Sequence, residues 1–150
     1  MDWQKKFLQY YRFKYYFHAQ HSMTSRIEDR HPHTFCVELY LESKQQEKTV
    51  LFSQIQTYVR EYLCAYEGKT LNELEAFADK IPTLEAMGEH LYETMKLQMK
   101  EWHWNLIQLD ICENPLRVYS ISDQILLCSA QLNYSSRQLE RILEKKRRYL

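Results

Sequence analysis

His21-Ser22-Met23-Thr24-Ser25-Arg26-Ile27-Glu28-Asp29-Arg30-His31-Pro32-His33 joins two segments that read as strands. Strand residues two apart point to one face, about 6.6 Å apart along the chain. His31 and His33 can therefore aim at one point if Pro32 lies in extended chain. A hairpin would bring His21, at the end of the preceding strand, beside them. Three neutral imidazoles converging from a sheet make a zinc site with an open fourth position, the catalytic pattern of that metal. The spacing alone also fits two surface histidines flanking a proline.

The 150 residues suit one domain with one core. Twenty basic and twenty acidic residues cancel, so no global field argues for nucleic acid or anionic lipid. Two glycines and three prolines argue against disorder and low complexity. Cys36, Cys64, Cys112 and Cys128 form no Cys-x-x-Cys pair and sit among apolar residues. Reduced, buried thiols in a reducing compartment are expected. The first residues lack a signal-peptide apolar core, and no apolar run approaches the ~20 residues of a membrane span. The expectation is a cytoplasmic protein that does not enter the membrane.

Outward from the histidine stretch, Tyr10 to His21 is aromatic and β-rich, with Phe13, Tyr15, Phe17, Ala19 and His21 on one face. Thr34 to Leu41 reads as the second strand. Ser53 and Gln56 form a capping box ahead of Ile55, Tyr58, Val59, Tyr62, Leu63 and Tyr66 at helical spacing. Gly68 falls where a left-handed cap residue belongs. After a connector, Thr83 is the expected N-cap of a second helix, with Glu85 in its first turn and Leu84, Met87, Leu91 and Met95 as its buried stripe. Trp104 to Cys112 reads as a strand with Asn105, Ile107, Leu109 and Ile111 on one parity. Asn114-Pro115 is a turn, and Leu116 to Ile121 a further strand. A helical tail closes the chain. Its cations Lys145 to Arg148 fit a solvated helix end, where the dipole favours them, better than a nucleic-acid patch.

The order ββααββ predicts an α+β fold: an antiparallel four-stranded sheet with two helices on one face. The domain spans 1–122. A helical extension, 123–150, packs on it or on a neighbouring subunit.

In this order the motifs resemble the 6-pyruvoyl-tetrahydropterin synthase family, which includes the bacterial 6-carboxytetrahydropterin synthases. Phe17-His-Ala-Gln-His21, His31-Pro-His33, Leu71-Asn72 and Pro82-Thr83-Leu84-Glu85 match its Phe-x-Ala-x-His, His-Gly-His, Leu-Asn and Pro-Thr-x-Glu motifs. The similarity spans about residues 12 to 122. The resemblance implies the tunnelling fold, whose sheets join into barrels with sites at subunit interfaces. It implies zinc on His21, His31 and His33, a pterin-like ligand near Thr83 and Glu85, and a homo-oligomer, trimer or hexamer.

Departures from the pattern bear on chemistry. The position of the family's catalytic cysteine is Ile27, which cannot accept a proton. The family's Asp-His pair falls at Glu67 and Gly68, and its aspartate ahead of the first helix at Leu51. The glutamate that grips the pterin ring falls at Ile111, with Glu113 two residues along as a substitute of the same parity. Glu67 and Glu28 are the candidate replacement acid–base groups. Two readings follow. One is a zinc-dependent lyase type acting on a pterin-like or purine-like molecule with altered acid–base residues. The other is a catalytically inactive member that serves as an oligomeric binding or assembly module.

Overall fold

The computed structural model describes residues 9–24, 26–43 and 52–124. Four strands form one antiparallel sheet in the order β1-β2-β3-β4: β1 (Tyr11–His21), β2 (His31–Ser43), β3 (Trp104–Asn114) and β4 (Arg117–Ile121). Helices α1 (Phe52–Cys64) and α2 (Leu84–Glu101) lie between β2 and β3 in sequence. This is the expected α+β arrangement. The extension expected over 123–150 lies outside the described residues beyond position 124.

The sheet register explains the core. Phe13 pairs with Leu39, Tyr15 with Val37, and Phe17 with Phe35. On the far side Val37 pairs with Ile111 and Leu39 with Leu109. All of these point to one face, where they meet Ile55, Val59 and Leu63 of α1 and Met87, Leu91, Met95 and Met99 of α2. Each fully buried aliphatic side chain of this kind contributes about 1.5–3 kcal/mol relative to exposure. Both helices therefore cover the same sheet face, as the alternation in β1 predicts.

Four local details differ from expectation. β2 starts at His31, so Pro32 is a strand residue and the His-x-His pair lies in the ladder. Helix α1 begins at Phe52, which places Ser53 inside its first turn and not ahead of it. The helix ends at Cys64, and Gly68 serves the turn beyond it, with φ of 70° and its amide donating to the His18 carbonyl at 2.7 Å. In β3 a bulge breaks the expected parity: Tyr40 pairs with Gln108, but Leu41 pairs with Leu106, leaving Ile107 as the extra residue. Trp104 and Leu106 before the bulge share the core face with Leu109 and Ile111 after it.

Thr83 caps α2 as expected, its hydroxyl accepting from the Ala86 amide at 3.1 Å. Thr83→Ala removes that acceptor and should cost about 1 kcal/mol, lowering Tm by roughly 4 °C in a thermal melt. Gly88, one turn further on, faces the sheet. A Cβ there would meet the Tyr119 ring at 2.7 Å and Ile111 at 3.1 Å. Glycine is what allows α2 to approach β3 and β4 this closely.

Candidate metal centre

The three histidines meet at one end of the sheet. In the β1–β2 register His21 lies directly opposite His31, and His33 lies opposite Ala19, one pair further in. Equal parity puts all three rings on the helix-covered face. Their centroids are 4.5 Å apart for His21 and His31, 5.2 Å for His21 and His33, and 4.7 Å for His31 and His33. One ligand nitrogen from each lies within 4.8 Å of the other two.

Backbone carbonyls fix which nitrogens face inward. His21 Nδ1 lies 2.8 Å from the Pro82 carbonyl oxygen. A carbonyl only accepts, so Nδ1 carries the proton and Nε2 keeps its lone pair. His31 Nδ1 stands 3.1 Å from the Asp29 carbonyl oxygen, with the same consequence. Nε2 of His21 and of His33 are both buried without a hydrogen-bond partner. Glu113 Oε2 lies 3.5 Å from the first and 3.6 Å from the second, too far for a charge-assisted hydrogen bond. Burial pushes the His21 and His33 imidazoles below the usual histidine range, against the pull of Pro82 on His21 and of Glu113 on both. They are neutral lone-pair donors. A buried, unpartnered lone pair is costly. Two of them aimed together beside a third imidazole fit a divalent cation such as zinc.

Further contacts hold this arrangement. Ser22, next to His21, is clamped by Asn72: the Ser22 amide donates to Asn72 Oδ1 at 2.8 Å, and Asn72 Nδ2 donates to the Ser22 carbonyl at 2.9 Å. Leu71 beside it is buried in the core. The Leu-Asn pair is thus a fastener for the end of β1. Phe35 packs edge-on beneath His21 and His33, with centroids at 5.6 and 5.7 Å.

A cavity of about 410 Å³ opens beside the histidines, walled by His21, His31, Leu84, Glu85, Glu113, Arg117 and Tyr119. Glu113 comes from the end of β3, and Arg117 from the start of β4 forms an ion pair with it. The position that the resemblance gives to the ring-gripping glutamate, Ile111, is instead a fully buried core residue against α2. The β3 carboxylate that reaches the cavity is Glu113. Glu85 lines the cavity, whereas the Thr83 hydroxyl is engaged in capping. Arg117 and Tyr119 were not singled out from the sequence. Their only signal there is a place on the strand that follows the Asn114-Pro115 turn.

The two candidate acid–base residues stand apart from this chain's cavity. Glu28 is exposed on a short 3-10 turn, Ile27–Asp29. Glu67 accepts from the His18 amide at 2.8 Å and contacts His18 Nδ1 at 3.0 Å, on the outward face of β1. The His18 amide holds the Glu67 carboxyl below its usual range. Glu67 therefore does orient an imidazole, one supplied by β1 and not by position 68.

The model of the 6-pyruvoyl tetrahydropterin synthase family matches residues 10–124. Among solved structures, that of Caenorhabditis elegans 6-pyruvoyl tetrahydropterin synthase aligns with TM-score 0.64 and 16% identity, covering 77% of this chain and 96% of the other. An uncharacterized protein from Wolinella succinogenes aligns with TM-score 0.57 and 12% identity, over 78% and 100%. A Plasmodium vivax 6-pyruvoyltetrahydropterin synthase with a catalytic glutamate replaced by alanine aligns with TM-score 0.53 and 16% identity, over 78% and 99%. No curated protein matches. At these identities the structural likeness speaks for the fold. The family match over most of the chain goes further, and the chain belongs to the 6-pyruvoyl tetrahydropterin synthase family.

Proposed function

We propose that the chain binds zinc through His21, His31 and His33 and holds a pterin-like or purine-like heterocycle against Glu113, with acid–base groups altered from the family pattern. The observation that carries this reading is the pair of buried, unpartnered Nε2 atoms on His21 and His33. The ion, when bound, supplies a Lewis acid that polarises a ligand oxygen. Glu113 is an acceptor for ring N–H groups of such a ligand. Arg117 pairs with its carboxylate, and both side chains line the cavity.

A specific observation favours binding without the family's own reaction. Ile27, where the resemblance places a thiol, is an apolar side chain that is 70% exposed. It cannot take a proton. The solved Plasmodium vivax protein names a glutamate as its catalytic residue, so a carboxylate can occupy such a role, and Glu28 adjoins Ile27. The Glu67–His18 pair is a second candidate. It lies away from its own chain's cavity, so it can act on a ligand only across a contact between copies, in a homo-oligomer.

Fluorescence titration with neopterin tests the assignment. Zinc-loaded protein is expected to bind it, and Glu113→Gln should weaken binding about 10-fold or more while zinc per chain is unchanged. No binding by the zinc-loaded wild-type protein would rule out the ligand class. Incubation with dihydroneopterin triphosphate should yield little product, and normal turnover would overturn the reading of Ile27.

A further inference from the structure

The sheet face opposite the helices carries a pair of thiols that the metal centre does not use. Cys36 of β2 and Cys112 of β3 are direct cross-strand partners. Antiparallel partners have Cα atoms about 4.5 or 5.5 Å apart, and both spacings fall within the range a disulfide spans. Equal parity puts the two side chains on one face, and they are close enough for a thiol–thiol hydrogen bond. Tyr16, next in the same row on β1, bonds to Cys36 through its hydroxyl. Both thiols line a cavity of about 410 Å³ together with Lys14, Tyr16 and Thr34.

We propose that Cys36 and Cys112 form a redox-active dithiol site that takes small disulfides such as oxidised glutathione and closes to a cross-strand disulfide. Cys112 is the attacking sulfur. The hydrogen bond from Cys36 lowers its thiol, with a smaller pull from the Lys14 charge, against the opposing effects of burial and of the Asp110 charge. The Cys112 thiolate attacks one glutathione sulfur, forming a mixed disulfide and releasing one glutathione thiolate. Cys36 then loses its proton to solvent and attacks the Cys112 sulfur, expelling the second glutathione thiolate. Two protein thiols are oxidised by two electrons, and one glutathione disulfide becomes two thiols. Both thiols line the cavity from which a disulfide bond would approach, and the register supplies the geometry for the second step. The site is independent of the metal reading, although the bond would tie β2 to β3 one residue from Glu113.

Peptide mapping of the full chain after incubation with oxidised glutathione tests this. Trypsin releases Cys36 in the peptide 31–44 and Cys112 in 101–117, each with a single cysteine. The expected product is these two peptides joined by a disulfide, separated again by dithiothreitol. Two free-thiol peptides, or a Cys112 peptide that retains glutathione, would overturn the proposal. Cys36→Ser should trap the Cys112–glutathione mixed disulfide, and failure to find it there would overturn the assignment of Cys112 as the attacking sulfur. The wild-type result stands even if that variant does not fold.

Discussion

His21→Ala is expected to lower zinc affinity by more than about 100-fold, because removal of a group that merely hydrogen-bonds a metal ligand already costs about 10–100-fold. The wild-type protein should carry about one zinc per chain in metal analysis, as a three-histidine site requires. His21 is the critical ring for two reasons. It is 1% exposed, and its orientation is fixed by Pro82 at the mouth of α2. Its loss removes the donor that joins the ladder to the helix layer. His33 is more exposed, and His31 is oriented by its own strand's approach through Asp29. Competition against a coloured zinc chelator reads the affinity directly. Equal zinc retention by wild type and variant would show that the three rings do not share an ion.

Phe35→Ala is expected to destabilise the domain by about 3–5 kcal/mol, the usual range for truncating a buried aromatic. Phe35 is fully buried and stacks on Phe17 with centroids 5.1 Å apart at 16°. It also floors the histidine cluster from below. The truncation should therefore act twice: a large drop in urea midpoint, and a weaker metal site in whatever fraction stays folded. Phe35→Leu, which keeps most of the buried volume, separates the two effects. It should regain most of the stability, and with it the zinc. A Phe35→Ala protein with unchanged midpoint would mean that the core beneath the site does not pack as described.

Element type and order were legible because the signals were local. Alternation in β1 placed Phe13, Phe17 and His21 together, and the N-cap chemistry of Thr83 marked the start of α2. The bulge at Ile107 was not legible. Leu106, Ile107, Gln108 and Leu109 give no alternation to follow, and only the partner strand reveals which residue is extra. Strand β3 is buried on both faces through most of its length, so hydropathy does not say which side chains face the helices. The histidine cluster, by contrast, was suggested by spacing and singled out by the family motifs, and the β1–β2 register brings its rings together. What stayed hidden was the support: the Pro82 carbonyl and the Asn72 clamp come from a connector with little periodicity, and backbone groups leave no mark in a sequence.

Gly88 gives the cavity one of its dimensions. The ring its missing methyl would strike belongs to Tyr119, which also walls the space beside the histidines. Filling that gap would gain about 1 kcal/mol of helix preference, yet the phenol ring would have to give way. One hydrogen atom on the helix therefore lets the ring that walls the neighbouring chamber sit against α2.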